Sequence, residues 1–239
     1  MRSAAGRWRV RGIRGEITLG QVTLLVAGTR DERLAIVEAV SGRVIPSEGR
    51  ALVTGVPLKR ETACRIRRRV AVVDVSAAVG ATWMTRGPRA AVFDDVDPHA
   101  RPLEWHVALA SARHALTRVG LMGRTRDCVL VTDRSARVRL EVARALIGGP
   151  EYVILAELDE RLGLEDAGKL LQTLQAVAHQ DRVGVLVTAA SRDFEWQSID
   201  RVLLLAGGRL LCDGPSPGPL AAEGPEGRLR NVYRRVISL

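Results

Sequence analysis

Side chains able to do chemistry are sparse in this sequence and poorly spaced for most ordinary tasks. His106 and His114 lie eight residues apart in one helical stretch, whereas two metal ligands on one helix face need a separation of about four; packing on a helix face is the expected role. Cys64, Cys128 and Cys212 are far from one another and from any His at ligand spacing, so inert, buried thiols are expected. The run Ala91–Pro98, AVFDDVDP, gathers carboxylates behind a short apolar segment, but its Asp and Pro content reads as a solvated turn. Trp105, beside His106, is expected to anchor a core or an interface. The stretch Arg228–Arg235 reads as a basic helix with a partial apolar stripe, fit to close the domain or to meet lipid head groups or an acidic partner. None of these constellations makes an active site, so any chemistry must come from how the elements are ordered.

The 239 residues suffice for one domain, or one domain with an inserted part. Apolar residues make up 46% while aromatics are 3%, so Val, Leu, Ala and Ile must fill the core. No apolar run approaches the ~20 residues that cross a bilayer. Met1–Arg11 is basic with no apolar stretch behind it, unlike a secretion signal; a soluble, cytoplasmic protein is expected. Net charge is +9, carried almost wholly by Arg, since Lys59 and Lys169 are the only lysines. Such a charge attracts nucleic acid, anionic lipid or acidic loops; spread along the chain apart from local clusters at Arg65–Arg69 and Arg228–Arg235, it does not point to a specific nucleic acid.

Strands are predicted at Val22–Ala27, Ala51–Thr54, Val70–Val75, Tyr152–Leu155, Gly184–Thr188 and Val202–Ala206, the last turning at Gly207–Gly208 into Arg209–Cys212. Helices are predicted through Leu34–Val40 (stopped by Ser41–Gly42), Lys59–Arg69, Leu103–Gly120, Val138–Leu146 and Leu164–His179. Ser76–Pro102 is less regular. Strands alternating with helices mean a doubly wound α/β sheet.

The order of these elements resembles that of the ATP-binding-cassette (ABC) ATPases. The segment Arg137–Gly214 carries most of the likeness: RVRLEVARALIGGPEYVILAELDERLGLEDAGKLLQTL is similar to the family's run from signature helix through Walker B strand to D-loop. IDRVLLLAGGRLLCDG resembles the strand and hairpin after its switch histidine. Upstream, GQVTLLVAG and LAIVEAVSGRVIPSEGRALVTG resemble the first strand, the P-loop helix and the following turn, and PLEWHVALASARHALTRVGL resembles the helical subdomain. The match spans roughly Gly12 to Gly214. It implies a P-loop NTPase-like core with a mainly parallel sheet, formed by residues 1–75 and 126–239, with a helical subdomain at 76–125.

Mapped onto the family's motifs, the chemistry is largely replaced. A P-loop cradles phosphate with backbone N–H groups, a Lys and a hydroxyl. Counting back from Ser41–Gly42, its first Gly is Ala27, its second Glu32, its Lys Arg33 and its hydroxyl residue Leu34. Asp31 and Glu32 put carboxylates at the helix N-terminus that would have received the anion. One carboxylate ~4 Å from a phosphate charge costs about 1 kcal/mol at the dielectric of water and about 4 kcal/mol at a protein-surface value. These acids are expected to cap the helix instead. At the Walker B position the metal-side Asp is Ala156, while the general-base position keeps Glu157, expected to be a relic in preference to a fold role as an acceptor of backbone N–H bonds. The signature falls on Thr132–Ala136, with Asp133 in the Ser position and Arg134 and Ser135 in place of the glycines. The D-loop Asp is Gly163, the switch His is Ala190, and the Q-loop glutamine has no counterpart near Asp74–Ser76. The front end is also short, leaving Trp8 a poor stand-in for an adenine-stacking aromatic.

The resemblance therefore implies a degenerate ABC-type subunit with no bound cofactor, no metal and no catalytic residue beyond Glu157. It would serve as a structural or regulatory part of a transporter-like complex. Residues 79–119 would meet a membrane-embedded permease-like subunit, and the chain would pair with itself or with another ABC ATPase at the inner face of the cell membrane. The alternatives are an active ATPase that binds ATP and Mg²⁺ and uses Arg33 and Glu157 in place of the usual residues, and, after it, a nucleic-acid-binding module suggested by the charge and Arg content.

Overall fold

The computed structural model describes residues 10–80, 102–122, 134–158, 162–190 and 196–216. Strands β1 (Val22–Ala27), β4 (Val70–Asp74), β5 (Tyr152–Ala156), β6 (Gly184–Ala189), β7 (Arg201–Ala206) and β8 (Arg209–Pro215) form one sheet in the order β4-β5-β6-β1-β7-β8. Every neighbouring pair is parallel except β7 with β8. The central strands read as near-continuous apolar runs because a parallel sheet is covered on both faces.

Two clusters of buried side chains do the covering. On one face Leu24, Leu155 and Val187 meet helices α4 (Pro102–Arg118), α5 (Arg134–Ile147) and α6 (Leu164–Asp181) through Leu116, Leu140 and Leu170. On the other, Leu25, Ile154 and Leu186 meet helices α1 (Arg30–Val40) and α2 (Ala63–Arg67) through Val37 and Ile66, together with a small hairpin of β2 (Leu52–Val53) and β3 (Val56–Pro57). The doubly wound sheet expected from the alternation of elements is the one observed.

Several local expectations change. The strand placed at Ala51–Thr54 is two residues long and lies outside the main sheet. Thr54 and Gly55 both take positive φ, 54° and 72°, closing a two-residue hairpin turn straight after Val53. Val75 is the first residue of a helix, α3 (Val75–Gly80), rather than the end of a strand. Asp74 accepts a hydrogen bond from the Ala77 N–H at 3.0 Å, an N-terminal cap that starts the helix there. Residues 59–62 are not helical, because the Thr62 hydroxyl is spent on a turn, accepting from the Lys59 N–H and donating to the Pro57 carbonyl. The buried stripe of α4 runs through Ala112, Ala115, Leu116 and Val119. Ala110 and His114 are exposed, and His114 meets Arg118 one turn on. Cys64 is exposed and Cys212 is half-buried against the first core cluster, so neither is a fully buried thiol. Residues 81–101 (with Ala91–Pro98), Cys128 and Arg228–Arg235 lie outside the described residues, as do the side chains of Trp105 and His106.

A glycine on β6 is dictated by its neighbour strand. A Cβ on Gly184 would collide with two ring carbons of Tyr152 and sit 3.2 Å from the Thr18 carbonyl, and that ring is held by a hydrogen bond from its hydroxyl to the Ile17 carbonyl. Gly184→Ala is expected to destabilise the fold by about 1–3 kcal/mol, read as a lower urea midpoint. Adding Tyr152→Ala should leave no further loss from the new methyl.

Candidate functional site

In an open α/β sheet, ligands bind at the carboxyl ends of the strands where chain order reverses. Here that place lies beyond Ala27 and Ala156, with β1 between β6 and β7. After Ala27 only Gly28 and Thr29 intervene before α1 begins at Arg30. Thr29 is its N-cap, with extended backbone, and a complete capping box follows. The Glu32 N–H donates to the Thr29 hydroxyl and the Thr29 N–H donates to the Glu32 carboxylate, both at 3.3 Å. The other oxygen of that carboxylate accepts from the Gly208 N–H of the β7–β8 turn. Glu32 is buried and Asp31 exposed, so Glu32 caps the helix while Asp31 faces solvent. The Arg33 N–H reaches the Thr29 carbonyl at 3.3 Å, already within the helix. Two of the first-turn donors that a phosphate would need are thus engaged.

The next residue fills the crevice. The guanidinium of Arg33, 2% exposed, makes a fork onto the carboxylate of Glu157, 5% exposed. Nε donates to Oε1 at 2.9 Å and Nη2 to Oε2. Its third arm, Nη1, donates to the Ala27 carbonyl at 2.8 Å. The planar fork of Arg suits this three-way arrangement, which a Lys could not reproduce. Glu157 sits just past β5 with φ at 65°, a left-handed conformation uncommon for a residue with a side chain. Its N–H donates to the hydroxyl of Thr188, itself fully buried, at 3.0 Å. Glu157, expected to be a relic, thus has a buried cationic partner for its carboxylate.

Ala27, Glu32, Arg33 and Glu157 are therefore brought together, with Ala156 ending the strand that leads in. Leu34 is 39% exposed on the outer side of α1. Ala190 is a half-buried bend directly after β6, and Gly163 is a bare N-cap for α6 with no side-chain hydrogen bond. Arg134 is exposed and Ser135 buried in the first turn of α5, whose Ala136 and Val138 belong to the opposite core cluster. Asp133 and Trp8 lie outside the described residues. Among the described residues no group of His, Cys, Asp and Glu is arranged to hold a metal ion.

Among the described residues the buried Ser135 hydroxyl has no hydrogen-bond partner, an arrangement that costs folding free energy. Ser135→Ala is expected to raise stability by about 0.5–1 kcal/mol, measured as a higher denaturation midpoint with the fold unchanged by circular dichroism.

Sequence reasoning missed Thr29, Thr188 and Gly208. Thr29 was readable, since Thr-x-x-Glu ahead of an apolar run is a capping-box pattern. Thr188 and Gly208 act across 31 and 176 residues of sequence, and no local pattern marks them.

No family model matches the chain. A hemin import ATP-binding protein of Vibrio anguillarum is 24% identical over 225 residues, 91% of this chain and 82% of that protein. A phosphonates import ATP-binding protein of Thiobacillus denitrificans is 23% identical over 237 residues, 95% and 86% of the two chains. The structure of cbiO1 from Clostridium perfringens, part of the ABC transporter complex cbiONQ, superposes with a TM-score of 0.82 at 18% identity, covering 99% of this chain and 92% of that one. The fold is that of an ABC ATPase. MJ1267, an ATP-binding cassette of an ABC transporter solved in its ADP conformation, matches with a TM-score of 0.70 at 14% identity over 92% and 87% of the two chains. The Arg33–Glu157 pair lies beyond the carboxyl ends of β1 and β5, where an open α/β sheet binds ligands. No helix among the described residues is long and apolar enough to cross a membrane.

Proposed function

We propose that this chain is an ABC-fold subunit that has exchanged nucleotide chemistry for an internal lock, and that it works by docking in a transporter assembly. The observation that carries this reading is the buried fork of Arg33 on Glu157. The cation that would meet the phosphates and the carboxylate that would polarise water neutralise each other, and Glu32 adds an acidic side chain where the phosphate loop would curl. Ala156, Leu34 and Ala190 supply no metal ligand, hydroxyl or imidazole. ATP and Mg²⁺ are accordingly not bound, and Glu157 acts as a structural carboxylate.

The similar proteins named above import hemin and phosphonates as ATP-binding proteins, which supports a role beside a membrane-embedded permease-like subunit at the cytoplasmic face. Residues 79–119 would supply the contact. Pairing would be with a second copy or with another ABC ATPase subunit; no specific nucleic acid is involved. The cargo follows from the permease and not from this chain.

A second reading has an observation in its favour: the relatives are ATP-binding proteins, and Glu157 is retained. In it the chain hydrolyses ATP, with Arg33 swung from Glu157 onto phosphate. Phosphate release with ATP and Mg²⁺ separates the two. A background rate, unchanged by Glu157→Gln, is expected; turnover that Glu157→Gln abolishes would establish an active ATPase.

A further inference from the structure

Much of the net charge of this protein falls within one stretch of the chain. Residues 43–69 hold eight basic and two acidic residues, +6 of the chain's +9. Arg43, Arg50, Lys59, Arg60, Arg65 and Arg68 are exposed, and among the described residues none of these six is engaged in an ion pair.

The segment folds as one peripheral unit. The Leu58 N–H donates to the Ala51 carbonyl, the Thr62 hydroxyl to the Pro57 carbonyl, and Arg67 to the Gly42 carbonyl at 3.2 Å, tying loop, hairpin and α2 together. Val53, Val56, Leu58, Ala63 and Ile66 turn inward to the core. The pleat then sends Leu52 and Pro57, which are register partners, outward. Leu52 is 70% exposed, and Ile45, in the loop that leads into the hairpin, is 41% exposed. The exposed side chains of this unit thus include both an aliphatic tip, Leu52, and cations with no ion pair among the described residues, and the segment contains no aromatic residue.

We infer that this hairpin and α2 face is a docking surface for an anionic phospholipid bilayer. Basic side chains beside such a surface are attracted to its negative potential, and exposed aliphatic side chains gain by entering the acyl boundary. A nucleic-acid backbone would use the cations but leave Leu52 idle, and single strands would look for aromatic platforms that are not there. The inference does not rest on the state of the nucleotide crevice, because no residue of this face takes part in the Arg33–Glu157 lock.

The test is co-sedimentation of the full chain with vesicles of phosphatidylcholine alone and with vesicles in which part of it is replaced by phosphatidylserine. Binding is expected on the anionic vesicles, weakening with salt. Arg60→Gln, Arg65→Gln and Arg68→Gln together should lower the partition coefficient on the order of 100-fold. Leu52→Ser, which leaves the charge untouched, should lower it roughly tenfold. Both variants change exposed side chains, and their unfolding midpoints check the fold; should the triple variant fail to fold, Leu52→Ser decides alone. Equal partition onto neutral vesicles, no binding to anionic ones, or full binding by the Leu52→Ser variant would overturn the inference. So would tighter binding to duplex DNA than to vesicles with Leu52→Ser without effect, which would assign the face to nucleic acid.

Discussion

Glu157→Gln is expected to lower the stability of this protein by about 3–5 kcal/mol, the cost of leaving a buried charge without its counter-charge. The amide keeps the shape of the carboxylate and one acceptor oxygen, so the loss reports charge rather than volume. Arg33 would remain 2% exposed at the end of the sheet, its Nη1 still on the Ala27 carbonyl and its fork facing a neutral group. For a domain of this size the drop corresponds to a fall in Tm on the order of 10 °C. Differential scanning calorimetry measures it. Replacing both partners, Arg33→Met with Glu157→Leu, should recover most of the loss, because a buried ion pair exchanged for apolar side chains of similar volume is often neutral or better. A double-mutant cycle would then show strong coupling between positions 124 residues apart in sequence. A catalytic carboxylate held for chemistry alone would give little change in stability and no such coupling.

The second large effect is expected at Glu32. Glu32→Ala removes the reciprocal half of the capping box and leaves the Gly208 N–H buried without an acceptor. The lost cap and the lost charged hydrogen bond together predict a destabilisation of about 2–4 kcal/mol, read from urea unfolding. Glu32→Gln, which keeps an acceptor oxygen toward Gly208, should lose less. Glu32→Gly would restore the residue type that a phosphate loop uses, yet should be the least stable of the three, since glycine in the first helical turn adds backbone entropy to the lost cap. The order Gln above Ala above Gly in stability is the signature of a side chain built into the fold.

Both effects arise at positions the sequence could place but not pair. The parallel strands were legible because burial on two faces writes itself as uninterrupted apolar residues, as in Tyr152–Ala156 and Val202–Leu205. Short elements governed by a single polar contact were not. The start of α3 depends on the Asp74 carboxylate, and the end of β2 on positive φ at Thr54, a residue that gives no such signal. The ABC resemblance brought Arg33 and Glu157 to one crevice, but reading each motif position against its family counterpart made them two separate departures. Taken together, a cation at one motif position and a carboxylate at another are the halves of an ion pair. The early start of α1 was likewise written in Thr29 and Glu32, whose spacing spells a capping box.

The central claim is that the crevice is filled by the protein itself, and calorimetric titration of the purified chain with ATP in the presence of Mg²⁺ tests it most directly. The account predicts no saturable heat through the millimolar range and no rise in Tm, since a ligand that binds the folded state must stabilise it. Saturable binding below a millimolar, accompanied by a higher Tm, would mean that Arg33 leaves Glu157 for phosphate, and would contradict it.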